Sequence, residues 1–223
     1  MFEVKYKKGL IIAVIILVII ALGTLTFFII DFVKTSNSKK EASDAVRVFE
    51  EIDDEEDDKN ANNIDNNVVA LNLQVENVVQ SDDSSNNEGE KMYKGFPMAG
   101  TIKIPKIKLE LPVLKVASAK AIDVSVAING GPGLNKVGNT IIIGHNYRDG
   151  RFFANNKNLS NGDEVSITDN SGTTVKYEIY NIYTTAPEDS DFMERDTEGR
   201  REITLDTCTD DAQSRLIIWA KEK

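Results

Sequence analysis

The chain has 223 residues, 41% hydrophobic and 28% charged, an ordinary mix for one folded domain or two small ones. Its net charge of −10 sits in residues 1–91, where 9 Lys/Arg face 18 Asp/Glu; residues 92–223 are nearly neutral, with 17 against 18. No basic face is offered to nucleic acid, one His excludes a multi-histidine metal centre, and one Cys excludes an internal disulfide and tandem CxxC zinc sites.

Residues 10–30 form an uncharged run of 21 residues, interrupted only by Gly23, Thr24 and Thr26. At 1.5 Å per residue this spans the roughly 30 Å hydrocarbon core of a bilayer. A cleaved signal peptide would have an apolar region of only ~7–15 residues and a small-residue cleavage site. Here the run ends in Phe27, Phe28, Ile29, Ile30 and Asp31. A single retained transmembrane helix is therefore expected. Lys5, Lys7 and Lys8 precede it, whereas Lys34 follows it and is offset by Asp31. This asymmetry predicts a cytoplasmic N-terminus over 1–9 and an outward-facing remainder, so the lone Cys is expected in an extracytoplasmic compartment.

Residues 31–91 read as an acidic, Asn/Ser-rich extracytoplasmic linker. Eight of the nine positions from Glu50 to Asp58 are acidic, and Asn60, Asn62, Asn63, Asn66 and Asn67 follow. Such composition buries too little apolar surface to offset the entropy of ordering. Val68, Val69, Leu71, Leu73, Val75, Val78 and Val79 interrupt it, at spacings that suit either a helix or a strand.

Residues 92–223 are expected to fold as one mostly β domain. Short β-like runs occur at 100–104, 111–116, 140–144, 164–168, 174–184, 201–206 and 216–220. Asp169-Asn170-Ser171-Gly172 separates two of them as a hairpin turn. Residues 119–127 and 151–159 read as short helices, and Gly130-Gly131-Pro132-Gly133 as a sharp loop. Seven or eight short strands indicate a sandwich or barrel. No GxGxxG or GxxxxGKS nucleotide fingerprint is present.

Three reactive residues stand at the ends of these runs: His145 after Ile141-Ile142-Ile143-Gly144, Cys208 after Thr204-Leu205-Asp206-Thr207, and Arg215 before Leu216-Ile217-Ile218-Trp219. Thiol acyl transfer needs a thiolate, a proton donor for the leaving group and donors for the oxyanion. These three residues supply those groups. Each has a plain alternative: a buried small Cys, a strand-end His hydrogen bond, a surface Arg. Spacing alone does not bring them together.

Thr204-Leu205-Asp206-Thr207-Cys208 followed by Arg215 resembles the Thr-Leu-x-Thr-Cys…Arg signature of the sortases. Gly138-Asn139 leading to Ile143-Gly144-His145 resembles their histidine segment, and Phe152 or Phe153 through Leu159 to Gly162-Asp163 their "F…L…GD" element. Gly100 to Pro105 with Leu111-Pro112-Val113 is similar to their first strands. The resemblance covers about residues 98–221, with the motifs in the family's order.

It implies an eight-stranded sortase-type closed β-barrel over 92–223, with one or two short helices. It implies a membrane-anchored cysteine transpeptidase of a Gram-positive cell surface, in the thiol-protease enzyme class. Its substrates would be secreted proteins bearing a C-terminal Leu-Pro-x-Thr-Gly-like sorting signal, cleaved between Thr and Gly. The acceptor would be an amine of a cell-wall precursor or a pilin lysine. By match, His145, Cys208 and Arg215 take the catalytic positions; Thr207, Leu205 and Asn146 are expected at the substrate or oxyanion site. The acidic loop at about 185–201 is expected to roof the groove. Without EF-hand spacing, no metal is expected, and no cofactor. The opening strands resemble class A or D enzymes, and Gly144-His145-Asn146 with Arg148-Asp149-Gly150 resembles class B. The same residues would also serve a membrane-tethered cysteine protease or hydrolase that uses water. A non-enzymatic surface β-barrel binding module needs no reactive thiol.

Overall fold

A computed structural model of the chain describes residues 2–54 and 90–223. The apolar run is the front part of a 53-residue helix, Phe2–Asp54 (α1). From residue 14 to residue 33 its side chains are exposed on every side, Phe27 and Phe28 each at 70%. No protein packs on this segment among the described residues, and its length and composition suit a bilayer.

The helix then continues to Asp54, across residues expected to be linker. The reason is an apolar stripe at i, i+3, i+4 and i+7: Ala42, Ala45, Val46 and Phe49. Ala42, Val46 and Phe49 are buried on the side of the β domain, Phe49 among Tyr93, Met98, Leu114, Ala121 and Ala127. The Lys91 ammonium donates to the Phe49 carbonyl at 3.0 Å and lies 4.0 Å from the centre of its ring. Ser43 donates to Glu110 at 3.0 Å, and Lys94 pairs with Glu41 at 2.9 Å. The acid run beyond residue 54 and the apolar interruption at 68–79 lie outside the described residues. Phe49→Ala is expected to cost about 3 kcal/mol through the cavity it leaves. It should open residues 35–54 to limited proteolysis while the barrel keeps its circular-dichroism signature.

The β domain begins with the short strand Met92–Tyr93 (β1), turned through Lys94 and Gly95, both at positive φ, onto Phe96–Ile104 (β2). Leu109–Leu114 (β3), Val126–Gly130 (β4), Gly138–Ile143 (β5), Glu164–Asp169 (β6), Thr174–Thr185 (β7), Arg201–Cys208 (β8) and Arg215–Glu222 (β9) follow. The sheet order is β1-β2-β3-β4-β5-β8-β9-β7-β6, and β2 pairs with β6, so β2 to β9 close an eight-stranded barrel. β3–β4 and β5–β8 are parallel; the remaining pairs are antiparallel. The interior is filled by Ile102, Val113, Val126, Ile142, Val165, Ile167, Tyr177, Ile203, Leu205 and Ile218, all at 0 or 1% exposure.

The expected helix at 119–127 is only Ala119–Ile122 (α2), capped by the Ser118 hydroxyl. From Val126 the chain is β4, because the Ser125 hydroxyl donates to the Pro112 carbonyl at 2.6 Å and steers the following residues beside β3. Phe153–Asn158 is a 3₁₀ segment. The expected 169–172 turn is present: Gly172 N–H donates to Asp169 O, and Asp169 caps Ser171 N–H.

Candidate active site

Strand alternation decides which residues of β8 leave the core. Ile203 and Leu205 point into the barrel, so Glu202, Thr204, Asp206 and Cys208 share the outer face. Antiparallel register sets Trp219 opposite Thr204, Ile217 opposite Asp206 and Arg215 opposite Cys208. On the other side, parallel β5 sets Ile141 beside Thr204 and Ile143 beside Asp206. Gly144 N–H donates to the Asp206 carbonyl at 3.1 Å, so β5 runs out level with β8 and delivers His145 at its end. Asn146 donates to the Cys208 carbonyl at 2.9 Å and to Asp210 at 3.0 Å, tying the histidine segment to the turn after the cysteine. Three neighbouring strands therefore carry His145, Cys208 and Arg215 at one end. Cys208 is exposed, beside a hollow of about 390 Å³ edged by Asn146, Lys157, Thr184 and Leu216.

On the histidine side, Nε2 of His145 lies 3.3 Å from an Asp123 carboxylate oxygen, and Tyr147 donates to the same oxygen at 3.0 Å. The imidazole and the Tyr147 ring are 4.9 Å apart, and the Arg151 guanidinium covers Tyr147 at 4.4 Å. Gly144 admits no side chain: a Cβ there would lie 2.7 Å from Val126 and 2.9 Å from Phe153.

On the arginine side, Arg215 Nη1 donates to both carboxylate oxygens of Asp206, at 3.1 and 3.0 Å, and Nε donates to the Pro187 carbonyl at 3.1 Å. Asp206 is 1% exposed. The guanidinium is thus fixed by a buried acid beneath it and by the loop between β7 and β8. That loop is itself pinned: Arg195 pairs with Glu202 at 2.7 Å, reaches Asn139 at 2.9 Å and lies 4.2 Å from the Trp219 ring, while Phe192 packs with Ile141 and Ile217.

The expected substrate contacts of Leu205 and Thr207 need correction. Leu205 is fully buried in the barrel. Thr207 is 2% exposed, and its hydroxyl donates to the Gly144 carbonyl at 2.7 Å. Both side chains support the site from behind, because odd-numbered positions of β8 face inward. Asn146 is half-buried and lines the hollow beside Cys208.

The family model described as Sortase domain matches residues 102–223. The chain belongs to the sortase family. Sortase A of Bacillus anthracis is 30% identical over 122 residues, covering 53% of this chain and 57% of that protein. Among solved structures, Sortase A from Corynebacterium diphtheriae superposes with a TM-score of 0.53 at 27% identity, covering 57% of this chain and 61% of that one. A Clostridium perfringens Sortase D5 transpeptidase gives 0.52 at 26% identity, covering 57% and 79%. The chain therefore spans about 60% of the length of the first two relatives. Its sortase barrel resembles several classes at once.

Asp206 and Asp123 were not singled out from sequence in this sortase, although Asp206 stands at the variable position of the Thr-Leu-x-Thr-Cys motif, and Pro187 was read only as part of the loop at about 185–201. Burial pushes the Asp206 carboxyl above the usual carboxylate range, and the Arg215 guanidinium opposes this only in part. The folded chain therefore keeps this proton at pH values where the unfolded chain has lost it. Its contribution to stability is full below the usual carboxylate value and declines as pH rises to the raised one. Asp206→Asn should remove that decline: relative to wild type, the variant gains stability as pH rises through this window and holds the gain above it. Chemical denaturation across acidic pH measures the difference.

Proposed function

We propose that this sortase is a membrane-anchored cysteine transpeptidase with Cys208 as nucleophile, His145 as proton carrier and Arg215 as oxyanion donor. The observation that supports it is the register of β5, β8 and β9, which brings the ends carrying these three residues side by side. The Cys208 thiolate attacks the Thr carbonyl carbon of a Leu-Pro-x-Thr-Gly-like signal, forming a C–S bond. The guanidinium of Arg215 stabilises the oxyanion. As the C–N bond breaks, His145 donates its proton to the departing Gly amine. The Asp123 carboxylate is placed to partner the imidazolium before that transfer. An acceptor amine then attacks the thioester, His145 takes its proton, the new amide forms and the thiolate is restored.

In this reading residues 10–30 span the bilayer, residues 1–9 are cytoplasmic, and the domain of residues 92–223 works on the outer face. Its partners are secreted proteins with a C-terminal sorting signal and an amine of a cell-wall precursor or pilin. The deciding experiment incubates the chain with a sorting-signal peptide library and triglycine, read by mass spectrometry. A thioacyl adduct and a triglycine-joined product are expected. Hydrolysed peptide alone would identify a cysteine hydrolase, and no adduct with any peptide would leave a binding module.

A further inference from the structure

A second cavity of about 660 Å³ lies between α1 and the barrel, and Cys208 is not among the residues that line it. Its floor is apolar, with Ala42, Ile107, Leu109, Leu111, Val124 and Phe152. Its rim gathers six cations from separate parts of the chain: Lys39 and Lys40 on α1, Lys94, Lys103, Lys108 and Arg151 on the barrel. Glu110 and Asp123 are the acids of the lining. Glu110 already accepts from Ser43, and Asp123 sits against Tyr147 and His145. Lys94 is paired with Glu41 and Arg151 with Asp149. Among the described residues, Lys39, Lys40 and Lys108 have no carboxylate at ion-pair distance. Lys39 reaches across to the opposite wall, its ammonium 3.5 Å from where a Cβ on Gly150 would lie. In a chain of net charge −10 such a gathering is unusual.

The position of the cavity names its ligand. The exposed apolar face of α1 ends at Val33. Lys39 is six residues beyond Val33 and nine beyond Ile30, where the proposed span ends, roughly 9–14 Å along the axis. Bilayer headgroup layers add roughly 5–8 Å beyond the hydrocarbon on each side. A helix standing in a membrane therefore holds this rim just above the headgroups, within the reach of extended lysine side chains. A negative group ringed by lysines over an apolar floor describes an anionic amphiphile.

We infer that the cavity between α1 and the barrel binds the phosphodiester headgroup of an anionic membrane phospholipid, its glycerol and first acyl carbons over the apolar floor. The inference rests on the anchoring reading above and needs no catalytic step, although Asp123, the partner of His145, edges the cavity. Bound lipid would add a contact between membrane and barrel and fix the tilt of the domain.

The test uses the full chain in neutral detergent, titrated with dihexanoyl phosphatidylglycerol or dihexanoyl phosphatidylcholine and read by native mass spectrometry. Lys39→Ala/Lys40→Ala/Lys108→Ala is the comparison variant; all three side chains are exposed, so unchanged thermal unfolding certifies its fold. Wild type is expected to retain one phosphatidylglycerol at tenfold or more lower concentration than phosphatidylcholine. The triple variant should lose that preference, at roughly fivefold per lysine near an anionic surface. Equal retention of the two lipids by wild type, or an unchanged preference in the variant, overturns the inference. Anchoring is read separately: a chain that fails to co-purify with nanodiscs of either lipid removes the membrane reading itself.

Discussion

Cys208→Ala is expected to leave no acyl adduct on the protein and to lower turnover on the order of 10⁶-fold, as deletion of a covalent nucleophile does. The residue is exposed at the end of β8, and its side chain supports no core contact. Thermal unfolding should therefore be unchanged, separating lost chemistry from lost fold. The adduct is measured by intact-protein mass after incubation with a sorting-signal peptide. Adduct formation by the alanine variant would refute the assignment of the nucleophile. Hydrolysed peptide from wild type without product transfer to triglycine would instead point to water as acceptor.

Arg215→Lys should lower kcat/KM by roughly 10²–10³, the usual cost of one oxyanion donor. Lysine keeps the positive charge over Asp206 but loses the planar fork that reaches Asp206 and the Pro187 carbonyl together. Stability should change little. Arg215→Ala should lose activity similarly and stability as well, because a carboxylate at 1% exposure is left without its cation. Combining it with Asp206→Asn should recover the stability and none of the activity. Asp206→Asn alone should lower kcat more than KM, since it loosens the guanidinium without touching the peptide. A double-variant cycle read by both denaturation and peptide turnover separates the two roles. Full activity in Arg215→Lys would remove Arg215 from oxyanion stabilisation.

Much of the barrel was legible in the sequence, and the candidate residues His145, Cys208 and Arg215 stand at strand ends as their flanking apolar runs implied. Apolar runs such as Ile141-Ile142-Ile143 and Leu216-Ile217-Ile218 announce strands, and the residues flanking them announce themselves as exceptions. The eighth strand of the barrel escaped. Val126–Gly130 adjoins a short helix and contains small residues, so local pattern does not separate it from a helix end. The roles of Leu205 and Thr207 escaped as well. Inward and outward positions on β8 are nearly all buried, because the β7–β8 loop covers the outer face, so polarity does not reveal the alternation. Asp206 illustrates the same point: a carboxylate within a strand motif reads as surface until its partner on the next strand is known. The docked part of α1 was hidden by composition. Its stripe of Ala42, Ala45, Val46 and Phe49 is thin, and its neighbours are charged.

That docking changes what the acidic tract is for. Phe49 and Lys91 touch, so the stretch between them departs from and returns to one spot on the domain. The helix is held to the barrel by its own buried face, through Ala42, Val46 and Phe49. The tract's length is correspondingly free to drift, since halving a closed chain segment changes its closure free energy by only about 0.6 kcal/mol. A protease cut among its acids would give two polypeptides that still migrate as one particle until denaturant parts them.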